Sequence, residues 1–175
     1  MEQNPNKINW SWLSCNPAAI YLLEQNKNKI DWQCLSSNRA TIHLLEIDNI
    51  NWNLLSSNPA AIHLLQQNQD KIDWYSLSCN PSAIHLLEQN QDKIHWVCLS
   101  SNPAAIHLLE ENQVKINWYN LCSNPAAIHL LEQNQDKVNW CALSKNMNIF
   151  RPVPKQRVKI ITKRKIKQIL ILAYQ

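Results

Sequence analysis

Apolar residues recur along this chain in one fixed phrase: I-x-W-x-x-L-S-x-N-P-x-A-I-H-L-L-E-x-N-x-x-K. Trp10, Trp32, Trp52, Trp74, Trp96, Trp118 and Trp140 mark its copies, evenly spaced except that Trp52 comes two positions early. A fixed period of this length predicts a stacked solenoid in which each unit packs only on its neighbours. In the copy from Ile72 to Lys93, Asp73 stands where a helix N-cap belongs. The equivalent residues are Asn9, Asp31, Asn51, His95, Asn117 and Asn139, and all but His95 are Asn or Asp, whose side chains accept free amide hydrogens. Ile72 and Leu77 have the spacing of a hydrophobic staple across that cap. The pattern therefore predicts a short helix over Trp74–Ser78, then a second over Pro81–Gln89 opened by Asn80 as N-cap with proline at its first position. Ala83, Ile84, Leu86 and Leu87 form the apolar arc of that second helix, with His85, Glu88 and Gln89 opposite. Asn90 is expected as a left-handed C-terminal residue, and Gln91-Asp92-Lys93 as a polar connector.

Neither helix reaches the ~12–15 residues needed for marginal stability alone, so stacking is obligatory. The Trp column is expected to form the buried inner spine, each Trp worth about 3–5 kcal/mol on truncation to Ala. The reading is an all-α fold: an αα-solenoid of about six to seven helix–turn–helix repeats over residues 1–150, with a basic tail or cap over 151–175. The second copy departs from the rest. Arg39 replaces the proline and its linker is two residues shorter, which predicts a local change of curvature. After Ser144, Lys145–Phe150 repeats the Asn-Pro phrase with the proline lost and, by this reading, the register slipped.

Composition sharpens this picture in three places. Glycine is absent, so phosphate-cradling loops are excluded and turns must lean on Asn. Residues 1–144 carry eight Lys/Arg against thirteen Asp/Glu, a net −5, whereas residues 145–175 carry nine Lys/Arg and no acid, a net +9. The six cysteines, Cys15, Cys34, Cys79, Cys98, Cys122 and Cys141, fall at different repeat positions with no C-x-x-C, which reads as reduced thiols in a cytosol-like compartment. No stretch is apolar enough to cross a membrane or to act as a signal peptide.

The basic segment supports three readings: a cap on the last repeat, a patch for nucleic acid, anionic lipid or an acidic partner, or an altered reading frame of a longer repeat gene. The patch would comprise Lys155, Arg157, Lys159, Lys163, Arg164, Lys165 and Lys167. Ile166, Ile169, Leu170 and Ala173 have helical spacing, while Val158, Ile160 and Thr162 alternate as in a strand.

Chemistry-bearing residues also recur in columns. His43, His63, His85, His107 and His129 share one column, with Tyr21 in the first copy. Neighbours ~8–10 Å apart cannot share a metal whose imidazole nitrogens lie ~2.0–2.1 Å from it. Each His has Glu or Gln three residues on, a common surface helix pair, so the column reads as an exposed face or a partner-binding ladder. Ser14, Ser36, Ser56, Ser78, Ser100 and Ser144 recur at a helix end and read as caps, not nucleophiles. The residue after each Trp varies freely (Gln33, Asn53, Tyr75, Val97, Tyr119, Cys141) and is where specificity is expected. No catalytic, cofactor or metal residue is predicted.

The Ile-x-Trp-x-x-Leu-Ser run, the Asn-Pro cap and the Ile-x-Leu-Leu-Glu helix resemble the short tandem repeats of proteins from giant DNA viruses of the mimivirus type. The resemblance covers about residues 4–150. It implies an α-helical solenoid without an assigned activity, located in the host cytoplasm or in the virion, and it brings no catalytic residues. The expected function is a non-enzymatic scaffold that binds a protein partner, host or viral. The alternatives are a self-associating structural or virion component, or a nucleic-acid-binding accessory protein acting through the tail.

Overall fold

The computed structural model describes residues 7–150. These form a helical solenoid of two layers, with no strand among the described residues. The first layer stacks the Trp helices: α1 (Trp10–Cys15), α3 (Trp32–Ser37), α4 (Trp52–Ser56), α6 (Trp74–Ser78), α8 (Trp96–Ser101), α10 (Trp118–Ser123) and α12 (Trp140–Leu143). Each packs on the next in that order. The second layer holds α2 (Ile20–Gln25), α5 (Ile62–Gln67), α7 (Ile84–Gln89), α9 (Ile106–Glu111) and α11 (Ile128–Gln133). The second helix begins later than the sequence pattern predicts: Pro81–Ala83 is a 3₁₀ turn and the α-helix starts at Ile84. The polar connector is also ordered, as a 3₁₀ turn over Gln91–Lys93.

All seven predicted N-caps accept from the backbone N–H three residues on, His95 included, whose Nδ1 takes the Cys98 N–H at 3.4 Å. That contact requires the His95 ring proton to sit on Nε2. The left-handed turn does not form. Asn90 lies at φ −133°, ψ 52°, and no described residue has positive φ. Its side chain ends the helix in another way: Nδ2 donates to the Leu86 carbonyl at 3.0 Å, occupying one of the free C-terminal acceptors. Asn26, Asn68, Asn112 and Asn134 repeat the bond.

The repeats are tied together by buried Asn and Ser, not by apolar contact alone. Asn102, 1% exposed, uses its whole amide. Its Oδ1 accepts from Ala104 N–H at 3.1 Å, while Nδ2 donates to the carbonyls of Ser78 (3.1 Å) and Asn80 (3.2 Å) in the preceding repeat. Asn38, Asn58, Asn80, Asn124 and Asn146 make the same reach back, to the carbonyls of Ser14, Ser36, Ser56, Ser100 and Cys122. The recurrent Ser is a bridge rather than a simple cap. Ser78 Oγ donates to the Trp74 carbonyl at 2.7 Å and accepts the His95 N–H of the following repeat at 3.0 Å. Ser14, Ser36, Ser56 and Ser100 do likewise, and Cys122 substitutes its Sγ as acceptor for Asn139 N–H at 3.3 Å. Ser144 departs: it is exposed and bonds only the Cys141 carbonyl. No buried side-chain polar atom among the described residues lacks a partner.

Leucines make the core. Leu35, Leu55, Leu77, Leu99 and Leu121 of the first layer meet Leu23, Leu65, Leu87 and Leu109 of the second, all at 0% exposure. The staple forms as predicted, with Ile72 and Leu77 both buried. The Trp column is not the buried spine. Its rings are half-buried at the core's margin, and Trp140 is 46% exposed. The lysine that closes the same copy covers each of five rings: Lys29 over Trp10, Lys71 over Trp52, Lys93 over Trp74, Lys115 over Trp96 and Lys137 over Trp118, at 4.5–5.1 Å from the centroids. The ammonium sits on the negative face of the indole, where cation–π attraction is strongest.

The second copy is the irregular one, as its sequence suggests. Only a 3₁₀ turn, Ile42–Leu44, stands where the others have an α-helix, and the core divides there into a small cluster around Leu23 and Leu35 and a large one from Leu55 onward. The shortened linker also puts Asn49 where the ring-covering lysine belongs. At the other end the register does not slip. Asn146 lies one full period after Asn124 and makes both ladder bonds, to the carbonyls of Cys122 and Asn124. The basic tail and its predicted helix or strand fall outside the described residues.

Burial of the Asn amide and of the Leu side chains predicts two orders of stability. Asn102→Ala strands the buried Ser78 carbonyl and a helix-start amide and is expected to cost about 2–4 kcal/mol. Asn16→Ala, exposed and only capping, should cost about 1 kcal/mol. Urea melts of both variants check this, and equal losses would remove the ladder from its role. By the same measurement Leu99→Ala, at about 3–5 kcal/mol, should destabilise more than Trp96→Ala despite the larger ring.

Candidate functional site

The His column lies on the second layer and is exposed throughout. Its partners are not mainly the Glu or Gln three residues on. His43 Nε2 meets Glu24 Oε1 at 3.2 Å, His107 meets Glu88 at 2.7 Å and His129 meets Glu110 at 2.5 Å, each Glu belonging to the preceding repeat. Three of the five column members thus form inter-repeat His–Glu bridges; His63, after the shortened linker, has Glu46 17 residues before it and forms no such bridge. His85 differs because Gln66 stands at the place of that Glu. It turns instead to Gln89 at 3.1 Å and to Glu88 at 4.0 Å. The cue was present in the sequence: Glu24, Glu88 and Glu110 each precede a column His by one period less a helical turn. Exposed pairs of this kind contribute little energy, so the row sets register more than stability. Tyr21, 67% exposed, opens the same layer.

The residue after each Trp sits on the first layer, apart from the His row. Here the structure separates two uses. In some copies this residue reaches the N-cap of the following repeat: Ser11 Oγ donates to Asp31 Oδ2 at 2.7 Å, and Asn53 Nδ2 to Asp73 Oδ2 at 2.7 Å. In α6, α8 and α10 it is Tyr75, Val97 and Tyr119, exposed by 59%, 43% and 53%. Those three helices are successive neighbours, so the same repeat position carries an exposed apolar side chain three times in a row, a stripe along this layer. Tyr75 leans on the His95 ring, centroids 4.7 Å apart at 56°. Asn120 Nδ2 ties α10 to α8 beside the stripe by donating to the Val97 carbonyl at 2.8 Å. Trp12, 79% exposed on α1, is a surface aromatic that the repeat phrase alone does not single out.

Lys155, Arg157, Lys159, Lys163, Arg164, Lys165 and Lys167 lie outside the described residues. Among those described, no group of three or more His, Cys, Asp or Glu is placed to hold a metal ion, and no helix is long and apolar enough to cross a membrane. All six cysteines are free. No protein family, curated protein or solved structure matches the chain.

The Ser11–Asp31 contact has a titration signature. The Ser11 hydroxyl, then the Cys34 N–H, hold the Asp31 carboxyl below its ordinary 3.8. A carboxylate depressed on folding adds stability that is complete above its unfolded pKa and is lost as pH falls through the lower folded value. Ser11→Ala should therefore move the Asp31 midpoint up toward 3.8 and narrow that acid window. Carbon-detected NMR titration of the Asp31 carboxyl checks it, and an unmoved midpoint would assign the shift to the backbone alone.

Proposed function

We propose that this chain is a non-enzymatic scaffold that binds another protein along its Trp-helix layer. One observation carries the reading: Tyr75, Val97 and Tyr119 are exposed in three consecutive repeats, whereas the recurrent Ser, Asn and Leu positions are buried in the stack. Solenoids bind through such extended surfaces, and Tyr supplies large contact area at small entropic cost. The spacing suggests the partner's form. Stacked helices lie ~8–10 Å apart, and a polyproline II segment presents every third residue on one side at ~9.3 Å. A proline-rich extended segment matches the stripe residue for residue, in the way aromatic-lined grooves recognise such ligands.

Proximity labelling in cells that express the protein, followed by peptide titration, tests this reading. The wild-type chain should recover partners with an accessible proline-rich segment, and Tyr75→Ala/Tyr119→Ala should lose them by at least about tenfold in Kd, the cost of removing two partly buried anchors. Identical partner sets for both proteins would sink the stripe as the binding face. Mass that rises with concentration in sedimentation, with no partner recovered, would favour a self-associating structural component instead.

A further inference from the structure

We infer that the protein carries two equivalent inter-repeat dithiol sites, Cys15–Cys34 and Cys79–Cys98, each built to close as a disulfide when a small-molecule disulfide is present. The two pairs have the same sequence separation and occupy the same places in the repeat. Cys15 and Cys79 each follow the bridging serine, while Cys34 and Cys98 each stand two after the next Trp. That second position is one helical turn back from the point one full repeat on, which brings it beside the end of the preceding Trp helix. The side chains agree with the register: Ser11, one turn before Cys15 on α1, lies 3.2 Å from Cys34 Sγ, and burial and then the facing thiol, Cys34 or Cys98, push the Cys15 and Cys79 thiols up. A hydroxyl-bearing residue holds the same place at each site: Ser11 next to Cys34, and Tyr75, whose hydroxyl pKa Cys98 raises, at the equivalent position. The helices involved, α1 with α3 and α6 with α8, are packed neighbours.

Each pair joins an exposed cysteine to a more sheltered one: Cys15 to the half-buried Cys34, and Cys79 to the buried Cys98. The chemistry divides accordingly. The outer thiolate attacks one sulfur of oxidised glutathione, forming a mixed disulfide and releasing glutathione thiolate, which takes up a proton. The inner thiolate then attacks the protein sulfur of that mixed disulfide and releases the second glutathione. Two protein thiols are oxidised, one glutathione disulfide is reduced to two thiols, and the balance is complete. Burial, together with Cys98, pushes the Cys79 thiol up to about 12, so the first step at that site is slow at neutral pH. Each closed site would clamp adjacent repeats in the layer that also carries Tyr75.

Cys122 and Cys141 supply the internal control. Their separation in the chain is the same, but their register differs: Cys122 Sγ faces the Asn139 N–H, and Cys141 is an exposed residue after Trp140. Sequence separation alone would treat all three pairs alike, whereas the geometry separates them. Cleavage after Lys and Arg puts every cysteine of this chain on its own peptide, so linkages are read directly. The full reduced chain is incubated natively with oxidised glutathione, quenched with acid and mapped by non-reducing mass spectrometry. The expected result is Cys15 linked to Cys34 and Cys79 to Cys98, with glutathione retained on Cys141 and a melting temperature raised by several degrees. Cys34→Ser and Cys98→Ser should each leave glutathione trapped on the outer cysteine of that site alone. Glutathione left on Cys15 and Cys79 of the unaltered chain, or Cys122–Cys141 linked as readily as the other two pairs, would overturn the assignment.

Discussion

The structure depends on a buried primary amide. In an array of helices four to six residues long, no helix closes enough of its own hydrogen bonds to stand alone. From Asn38 onward, the recurrent Asn after each Trp helix resolves this by acting in two repeats at once. Its oxygen starts the second helix of its own unit, and its nitrogen takes up carbonyls left at the end of the previous unit's Trp helix. An Asn in an unstacked unit would have to give up the second set of bonds to water, so the energetic gain arrives only with the neighbour. The Ser bridge works in the same direction, from a helix end to the next repeat's first amide. Leucine burial supplies most of the attraction, but it is non-directional. The amide and hydroxyl bridges fix which residue sits beside which, and a one-residue slip would leave buried polar groups unpaired.

The irregular second repeat shows how the two contributions separate. It loses its proline, its second α-helix, its ring-covering lysine and the continuity of the apolar core. It keeps the polar bridges: Asn38 still reaches Ser14, Asn58 still reaches Ser36, and Ser36 still accepts from Asn51. A linker shortened by two residues is therefore tolerated because it lies between bridging positions rather than within them. The apolar interior is free to thin locally so long as the polar register holds.

Much of this fold was legible in the chain, for a definite reason. The period, the N-caps, the staple and the Asn-Pro start are local patterns, and local patterns decide local structure. Contacts across the period are what a local pattern hides. An apolar ring in every unit suggests a spine at Trp74, yet the residue that settles its environment is Lys93 of the same phrase, whose side chain lies over the ring. The same offset hides the Glu110–His129 bridge and the Cys79–Cys98 pair. Asn90 misleads differently. The absence of glycine suggests Asn as its substitute at positive φ, whereas the helix ends through the side-chain amide on an ordinary backbone. In a repeat protein the informative distance is the period minus one helical turn, and a reading confined to one unit does not reach it.

That offset also constrains where function can reside. A position that recurs in every unit is under the same structural demand in every unit, so Ser, Asn, Leu and Lys of the phrase are committed to stacking. The residue after each Trp is under a weaker demand, because the next repeat's N-cap is already satisfied from its own helix start. It can pair with that cap, as Ser11 and Asn53 do, or turn outward, as Tyr119 does. Val97 and Tyr119 make no such polar contact with the next cap, while Tyr75 meets it through the His95 ring instead. That weaker structural demand is why the proposed binding face is placed at Tyr75, Val97 and Tyr119 rather than at the recurrent Ser, Asn, Leu and Lys.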